Sequence, residues 1–365
     1  MRILFFSDLH LDTWGDFSYL LPNGNNSRLA DLLSVLGRIP VLVKKYQIDL
    51  VVFAGDLFHK PRVINTQVYQ KTFAALEEVA ANVPRLIIIA GNHDQALFQH
   101  QQATALYPLR SLALTVAVYL EPQVVPCLDG TRLVLLPFTE DTKVLKAQLR
   151  ELTAPGSILV SHCGLTEAAI GPNEIKIEAP LSLADLEPLR LEAAMFGHYH
   201  KPQNFEGNVF VIGAPVQHTM LDRGERRGIL VYDTKAHEAK RVWLNGPQFH
   251  LFEIAAQDDL AVLKKAAPEL KGSYVRVLLR SKTIIKDGVI ELLEAAGVKA
   301  HQVRYAIVTA ATARNEVLTT KLLGGGLEES LKDYVAHVAT DGLDKTRLVE
   351  LGQTLLKDYE IGTQK

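Results

Sequence analysis

Short apolar runs alternate with longer amphipathic segments in the first part of the chain. Runs of aliphatic and β-branched residues at 2–7, 50–54 and 86–90 are bounded by polar or turn residues and predict buried strands. Between them, apolar residues recur at helical spacing over 27–46 and again over about 65–81, which predicts two helices. Strands that alternate with helices are typical of a layered α/β domain.

The middle of the chain consists mainly of short strand-like runs. The stretch from about 115 to 138 predicts short strands around a turn at Asp129-Gly130. Further runs that predict strands follow at 157–160, 193–196, 209–212, 228–232 and 240–244. Because Asn245-Gly246-Pro247 is a turn signal, we place the end of a first domain, residues 1–246, at this point.

The last third predicts a small second domain and a helical tail. From residue 249, strand and helix patterns alternate as far as about residue 308, and we assign residues 247–320 to a capping domain. Gly324-Gly325-Gly326 is a linker signal. Residues 327–365 then predict two helices, whose apolar stripes are too large to leave in water but too short to form a core alone.

Residues that can bind metal follow five of the predicted strands. The segments are Asp8-Leu9-His10, Gly55-Asp56-Leu57-Phe58-His59, Gly91-Asn92-His93-Asp94, Ser161-His162 and Gly197-His198-Tyr199-His200. Open α/β sheets place their chemistry at the carboxyl ends of strands, so these residues should converge. A lone histidine is more often a surface or hydrogen-bonded residue, but five such segments in order favour one shared site.

The types of donor indicate a centre of two divalent cations. Oxygen and nitrogen donors from Asp, Asn and His suit manganese, iron or zinc better than copper, and they do not form the all-oxygen shell of calcium. With one or two donors taken from each segment, the seven candidate donors exceed the needs of one tetrahedral ion. They fit two ions about 3.5–4 Å apart that share a bridging carboxylate.

Composition narrows the class of protein. The chain has 365 residues, of which 48% are hydrophobic and 22% charged, as in a globular protein. Its formal net charge of −2 gives no overall attraction to nucleic acid, so a polyanion must be held by a local patch or by metal. With only Cys127 and Cys163, a disulfide framework is excluded. No run is long enough for a membrane span or signal peptide, so we expect a cytoplasmic protein with no membrane partner.

The five segments resemble the signature of the calcineurin-like metallophosphoesterase superfamily. Within it, the chain is most similar to DNA-repair nuclease subunits of the SbcD type and their archaeal and eukaryotic counterparts. His59 favours this branch, because the repair nucleases carry Gly-Asp-Leu-Phe-His where protein phosphatases carry an acidic-basic pair. Gly213-Ala214-Pro215 and the segments at 224–225 and 227–228 also resemble these nucleases. The resemblance implies an α/β fold with a four-layer β-sandwich flanked by helices, a small α+β capping domain and C-terminal helices.

The resemblance also implies a ligand set. One ion would be held by Asp8, His10, Asp56 and His200. The other would be held by Asp56, Asn92, His162 and His198, so that Asp56 is the bridge. Two dications neutralise a phosphodiester and lower the pKa of a shared water, which produces the hydroxide that attacks phosphorus.

Two more histidines would act on the substrate. His93 would stabilise the transition state or protonate the leaving group, with Asp94 fixing its tautomer and orientation. His59 would contact the scissile phosphate or the leaving nucleotide. The alternative is that His59 only caps the helix that follows it.

A basic stretch in the capping domain indicates how DNA could be held. From Lys264 to Arg304 there are nine Lys and Arg against four acidic residues, which fits phosphate-backbone binding but also an ordinary solvated surface. The residues expected to contact DNA are Lys264, Lys265, Arg276, Arg280 and Lys282. The similar nucleases use C-terminal helices to grip an SMC-like coiled-coil ATPase of the SbcC type. Since this chain has no Gly-Lys-Ser/Thr phosphate loop, ATP dependence would come from such a partner.

We therefore expect a manganese-dependent DNA nuclease, the hydrolytic subunit of an ATPase-driven complex that processes DNA ends in recombination and repair. Two alternatives remain: a phosphodiesterase for small or cyclic nucleotides, and a DNA-end scaffold that has lost catalysis. A homodimer is a further expectation, through helices predicted after Asp56 and Asn92. Its bundle would use side chains that are otherwise typical of a core: Val68, Phe73, Leu76, Leu97 and Leu106.

Overall fold

The computed structural model describes residues 1–98, 101–171, 174–256, 259–281, 283–284, 286–306, 335 and 344–353. Helices lie at Ser27–Tyr46 (α1), Thr66–Asn82 (α2), Thr142–Leu152 (α3), Leu183–Leu186 (α4), Leu260–Ala266 (α5) and Lys286–Ala295 (α6). Strands lie at Arg2–Phe6 (β1), Leu50–Ala54 (β2), Leu86–Ile89 (β3), Gln95–Phe98 (β4), Gln101–Thr104 (β5), Val116–Tyr119 (β6), Gln123–Pro126 (β7), Arg132–Leu136 (β8), Ile158–Ser161 (β9), Ala169–Ile170 (β10), Ile175–Lys176 (β11), Ala193–Phe196 (β12), Gln203–Phe205 (β13), Val209–Val211 (β14), Gly228–Asp233 (β15), Glu238–Trp243 (β16), Phe249–Ile254 (β17), Tyr274–Leu279 (β18) and Ala300–Tyr305 (β19).

The first six-stranded sheet has the order β16-β15-β1-β2-β3-β6. Its strands β1, β2, β3 and β6 run parallel, and β15 and β16 complete it by antiparallel pairing. Helices α1 and α2 cover the outer face, where Leu29 and Leu32 join the cluster that contains Phe6 and Phe53. Helix α1 begins where the Asn26 side chain accepts a hydrogen bond from the backbone of the first turn. The helix predicted at 27–46 is confirmed.

The second six-stranded sheet has the order β13-β14-β12-β9-β8-β7, with β8, β9, β12 and β14 parallel. Its inner face packs against the first sheet, where Phe5 and Val52 meet Val160 and Met195 in one buried cluster. Helices α3 and α4 cover its outer face. The layers are therefore helix, sheet, sheet and helix, and the four-layer expectation is confirmed.

Residues after Gly246 form a separate three-stranded parallel sheet in the order β17-β18-β19. Helices α5 and α6 pack on one of its faces, where Leu263 and Leu293 join Val277 in a buried cluster. The predicted order of strand, helix, strand, helix and strand is confirmed. Since residues 307–320 lie outside the described part of the chain, the domain limits of 247 and 320 stay predictions.

The helical tail falls largely outside the described residues. Gly324-Gly325-Gly326 and most of 327–365 are not described, but residues 345–353 are helical, as the sequence predicts. Among the helices that are described, none is both long and apolar enough to cross a lipid bilayer.

The helix bundle expected for a homodimer needs a correction. The residues after Asn92 form the hairpin β4–β5 and a short 3-10 helix, not the second long helix that a bundle requires. Val68, Leu76 and Leu106 are buried in the chain's own core, and Phe73 packs against it. These four side chains are not available to a partner, because they already cover the first sheet, and the side chain of Leu97 lies outside the described part of the chain.

Candidate metal centre

Donor atoms from separate loops meet around the carboxylate of Asp56. His10 Nε2 lies 3.5 Å from Asp56 Oδ2 and 3.1 Å from His200 Nε2. The same Asp56 oxygen lies 3.3 Å from His162 Nε2. One carboxylate oxygen therefore contacts nitrogen donors from both predicted ligand groups, which is the geometry that a bridging ligand needs.

Asn92 and Asp8 complete the convergence. Asn92 Oδ1 lies 3.2 Å from His162 Nε2 and 3.0 Å from His198 Nδ1. Asp8 Oδ1 accepts a hydrogen bond of 3.1 Å from the backbone N–H of His198. Asp8 Oδ2 is buried and has no hydrogen-bond partner among the described residues. The structure thus brings all seven predicted donors together, and one carboxylate oxygen lacks the partner that burial normally demands.

The contacts of His162 leave a place for a cation between its ring and the neighbouring oxygens. Its Nδ1 donates to the carbonyl of Ala54 at 2.7 Å, so a neutral ring turns the lone pair of Nε2 toward the oxygens of Asp56 and Asn92. Such acceptors repel one another unless positive charge lies between them. Although burial acts to lower the pKa of His162, the neighbouring Asp56 carboxylate raises it to about 9. The position favours positive charge, and a divalent ion would supply it.

Two histidines of the centre, His10 and His198, are held neutral by their surroundings, unlike His162. Burial lowers the pKa of His10 well below its ordinary value, and burial lowers the pKa of His198 to about 4. A neutral imidazole is the form that coordinates a metal ion. These rings are therefore ready to bind a cation near neutral pH without first losing a proton.

The backbone at the centre adopts conformations that non-glycine residues avoid. The φ angle is positive at Asp8 (55°), His10 (47°), Asp56 (61°) and His198 (79°). Each such residue costs about 1–3 kcal/mol and persists only where the surroundings hold it. The loops after β1 and β2 hold each other, because the N–H of Asp8 donates to Gly55 at 2.9 Å and that of His10 to Asp56 at 3.1 Å. Strained backbone held in this way aims the side chains at one point.

Asp94 does not orient His93, contrary to the expectation from sequence. Residues Asn92–Asp94 form a 3-10 turn that directs the Asp94 carboxylate into the loop after β2. There it accepts four hydrogen bonds of 2.8 to 3.1 Å from the backbone N–H groups of Asp56, Leu57, Phe58 and Gly91. His93 Nδ1 donates instead to the carbonyl of His59 at 2.6 Å. Asp94 is an anchor for the loop that carries Asp56.

Replacing Asp94 should destabilise the fold. In Asp94→Ala, four buried N–H groups lose their acceptor, and each unsatisfied group costs about 1–3 kcal/mol, so we expect the free energy of unfolding to fall by at least about 3 kcal/mol. Asp141→Ala is the matched control, because Asp141 is an exposed N-cap that accepts two backbone N–H groups of α3. Water can replace that acceptor, and the loss there should be about 1 kcal/mol. Urea unfolding of both variants measures the difference, and equal losses would contradict the anchoring role.

His59 belongs to the centre and does not cap a helix. Helix α2 begins at Thr66, and its N-cap is Asn65. The His59 ring lies between Trp14 and His93, with centroid distances of 4.3 and 5.5 Å. The alternative expectation for His59 is therefore wrong, and its ring is fixed beside the donor atoms.

Two groups that the sequence did not single out support the centre. His218 Nε2 donates to the Asp8 carbonyl at 2.8 Å, and its ring stands edge-on to those of His10 and His200. Asp222 Oδ1 lies 3.8 Å from His200 Nδ1, while its other oxygen accepts the backbone N–H of His218 at 2.7 Å. Both lie in the segment after the last histidine motif. The nearest preceding strand, β14, ends at Val211 and is not followed directly by either residue, so the pattern of apolar runs gave no signal.

The basic residues expected to contact DNA do not share one face of the C-terminal sheet. Four of the five are described, and the fifth, Lys282, lies outside the described residues. Lys264 and Lys265 are exposed on α5. Arg276 in β18 and Arg280, directly after this strand, lie on the face opposite to α5, where Arg280 pairs with Glu253 at 2.9 Å. This second pair of arginines is partly engaged within the protein.

Similarity to known proteins identifies the family of the chain. The family model for calcineurin-like phosphoesterases matches residues 1–202. The chain belongs to this family. Calcineurin-like phosphoesterases use a dinuclear site of divalent cations, and the convergent donors of this chain supply candidates for it. The protein is therefore assigned as a metal-dependent hydrolase of phosphoester bonds.

This calcineurin-like phosphoesterase is similar to the SbcD subunit of the nuclease SbcCD from Bacillus subtilis (strain 168). The two are 26% identical in an alignment of 277 residues that covers 65% of this chain and 67% of that protein. A dimetal phosphatase from Danio rerio is 11% identical with a TM-score of 0.38, over 63% of this chain and 91% of that one. The phosphoesterase Yfce from E. coli is 18% identical with a TM-score of 0.31, over 67% and 100%. The Pseudomonas putida nuclease MPE is 14% identical with a TM-score of 0.27, over 66% and 87%.

Proposed function

We propose that the protein is a manganese-dependent DNA nuclease that hydrolyses phosphodiester bonds at DNA ends. The observation that carries the proposal is the convergence of donors on the Asp56 carboxylate, with His59 and His93 fixed beside them. The similarity to a bacterial nuclease subunit supports a nucleic-acid substrate. The mixture of carboxylate, amide and imidazole donors supports manganese.

The donors divide into two groups around Asp56. Asp8, His10 and His200 would hold one ion with it, because their ligand atoms lie within 4.8 Å of one another. Asn92, His162 and His198 would hold the other, through the contacts of Asn92 Oδ1 with both rings. When bound, two dications would neutralise the scissile phosphate and lower the pKa of a shared water.

His93 has two tasks in this proposal. Its backbone N–H donates to Asp56 Oδ1 at 2.8 Å, which orients the bridging carboxylate and leaves Oδ2 toward the nitrogen donors. Its Nδ1–H is held by the His59 carbonyl, so that Nε2 is the atom free to exchange a proton with substrate. The ring lies 4.7 Å from that of His10, beside the donor cluster. A proton on Nε2 would pass to the leaving oxygen.

His59 would contact the substrate with a ring nitrogen and not with a ring face. Trp14 and His93 lie against its ring, so little of either face is left for a nucleobase. His59 Nδ1 is buried and has no hydrogen-bond partner among the described residues. Because Nδ1 is closed to solvent, Nε2 is the ring nitrogen that would donate a hydrogen bond to a phosphate oxygen of the substrate.

The role of His93 can be tested on labelled linear duplex DNA with manganese. We expect His93→Asn to lower the cleavage rate by about 10²–10⁴-fold, the usual contribution of a general acid, while manganese affinity is retained. His237→Asn is the matched control, because His237 is exposed and distant in the fold on the β15–β16 turn. Calorimetric titration with manganese distinguishes a loss of catalysis from a loss of metal binding. Equal cleavage by His93→Asn and the wild type would overturn the assignment.

One observation favours a second candidate, a phosphodiesterase for small or cyclic nucleotides. Arg280 pairs with Glu253, and Arg276 contacts Gln302, so the C-terminal sheet offers fewer free cations than its composition indicates. Rates on a small diester and on duplex ends discriminate between the two. Hydrolysis of the small diester without any cleavage of duplex DNA would select this candidate, and metal binding without hydrolysis of either would select a scaffold.

We also propose that the C-terminal tail binds an SMC-like coiled-coil ATPase in the cytoplasm. In the helix at 345–353, Leu351 is 58% exposed, so part of its apolar stripe is uncovered within the described residues. An exposed stripe of this kind is suited to a groove or helix on a partner. The similarity to one component of a two-component nuclease supports the same partner, and duplex cleavage measured with and without such an ATPase tests it.

A further inference from the structure

Arg28 is a buried cation that has no role in the proposed hydrolysis. It lies in the first turn of α1 and is only 2% exposed. Its guanidinium donates to the backbone carbonyls of His218 at 2.8 Å and Asp16 at 3.2 Å. Burying a guanidinium is costly unless its donors are satisfied, so a specific structural task is expected of it.

The C-terminal sheet supplies part of the surroundings of Arg28. The guanidinium carbon lies 4.8 Å from the ring centroid of Tyr274 and 5.2 Å from that of Phe249. Both rings belong to the face of this sheet that is turned toward the first domain. The hydroxyl of Tyr274 also donates to Asp31, one turn along α1, and Lys299 pairs with the same carboxylate. The sheet is therefore docked directly over Arg28.

On its other side, Arg28 contacts the groups that hold the loop carrying Asp8 and His10. His218, whose carbonyl binds Arg28, donates from its ring to the Asp8 carbonyl at 2.8 Å. Trp14, whose ring lies 5.4 Å from the guanidinium, donates from its indole N–H to the His10 carbonyl at 3.1 Å. Arg28 is therefore linked to Asp8 through His218 and to His10 through Trp14.

These contacts act on backbone that needs support. Asp8 and His10 both have positive φ, a conformation that relaxes when its hydrogen bonds are lost. The bonds from His218 and Trp14 fix the carbonyls of these same two residues. A shift of Arg28 would therefore change the direction of the Asp8 and His10 side chains.

We propose that Arg28 is a positioning residue that couples the docked C-terminal sheet to the metal centre. Docking of Tyr274 and Phe249 holds Arg28, and Arg28 holds His218 and Trp14, which keep Asp8 and His10 in their strained conformation. The proposal rests on the proposed two-metal site. It adds that the affinity of this site for metal depends on whether the sheet is docked.

Manganese titration of the full chain by calorimetry tests the proposal without using activity. We expect Arg28→Met to weaken manganese binding by about 10–100-fold, the usual effect of losing a group that orients metal ligands. Arg28→Lys should recover part of the loss, because it keeps the charge but cannot donate to two carbonyls as a fork. Arg38→Met is the control on the same helix, because among the described residues Arg38 donates hydrogen bonds to the Asn245 carbonyl and to no group of the metal centre, so this variant should bind manganese as the wild type does.

A double-variant cycle tests the coupling to the sheet. Tyr274→Leu removes a ring face and the bond to Asp31 but leaves both hydrogen bonds of Arg28, and it should also weaken manganese binding. If the sheet acts through Arg28, Arg28→Met combined with Tyr274→Leu will bind no more weakly than Arg28→Met alone. Additive losses, or wild-type affinity in either single variant, would overturn the coupling.

Fluorescence supplies a readout that a loss of general stability would not change. The chain has two tryptophans, so Trp243→Phe leaves Trp14 as the single reporter beside Arg28 and His59. We expect manganese to shift its emission in this background, and Arg28→Met to need about 10–100-fold more manganese for the same shift at a temperature where both proteins are folded. A wild type that binds no manganese would refute the proposed function itself, whereas equal binding by wild type and Arg28→Met would refute only the coupling.

Discussion

Asp56→Asn is expected to lower kcat/KM by about a thousand-fold or more, equivalent to at least about 4 kcal/mol of transition-state stabilisation. Its Oδ2 atom contacts nitrogen donors of both ligand groups, at 3.5 Å from His10 and 3.3 Å from His162. An amide in its place offers one neutral oxygen instead of an anionic pair. It therefore cannot neutralise and bridge two dications. Manganese titration should show the loss of at least one of two bound ions.

The same substitution leaves the backbone able to fold. Asp56 has a φ of 61°, and asparagine is among the residues that tolerate this region best. Asp49→Asn is the control at the opposite end of β2, where the carboxylate is exposed and accepts the backbone N–H of Arg2. That variant should keep full activity and both ions. If Asp56→Asn retained two manganese ions and a tenth of the wild-type rate, Asp56 would not be the bridge.

Convergence of the donors within each sheet could be predicted from the chain because it depends on strand direction alone, whereas the meeting of donors from the two sheets depends on how the sheets pack. Each apolar run ends immediately before a metal-binding segment, and parallel strands in a sheet bring their carboxyl ends to the same edge. Asp56 follows β2 and Asn92 follows β3, so their neighbourhood follows from the pairing of these strands. No knowledge of side-chain contacts was required for that step.

The partner of each side chain could not be predicted in this way. Asp94 follows His93 directly, which made it the natural candidate to orient that ring. The 3-10 turn sends the carboxylate to backbone N–H groups after β2 instead, and His93 finds the carbonyl of His59. Such contacts depend on loop conformation, and the loop conformation depends on positive φ angles that residue type does not reveal.

Two features that the sequence analysis missed did have a signal in the chain. Arg28 begins a stripe in α1 that continues with Leu32, Val35, Ile39 and Leu42, all of them buried. A charged residue on an apolar stripe indicates a buried cation with a task. Likewise, alternation along β18 places Arg276 and Arg280 on the face of Tyr274, away from α5 and its lysines. The alternation of side chains along a strand therefore separates the arginines of this sheet from the lysines of α5.

Gly91→Ala is expected to weaken metal binding and to destabilise the fold, because Gly91 lies against the bridging carboxylate. A Cβ atom there would fall 2.1 Å from Asp56 Oδ1 and 2.4 Å from Asp56 N. The φ of Gly91 is −98°, so alanine can adopt the backbone conformation and the effect comes from close approach alone. Asp56 cannot retreat, since its N–H is bound to the buried carboxylate of Asp94 at 2.8 Å. Either the loop after β3 or the loop after β2 must therefore move.

Overpacking of this kind costs about 1–3 kcal/mol of unfolding free energy, and a displaced bridging carboxylate should weaken manganese binding by at least about 10–100-fold. Gly37→Ala is the matched control, because no atom lies within 4 Å of a Cβ at this position in α1. Alanine there should raise the stability by up to about 1 kcal/mol and leave metal binding unchanged. Urea unfolding and manganese titration of the two variants measure both effects. Wild-type metal affinity in Gly91→Ala would mean that the loops after β2 and β3 are not in contact, and the bridging role of Asp56 would lose its geometric basis.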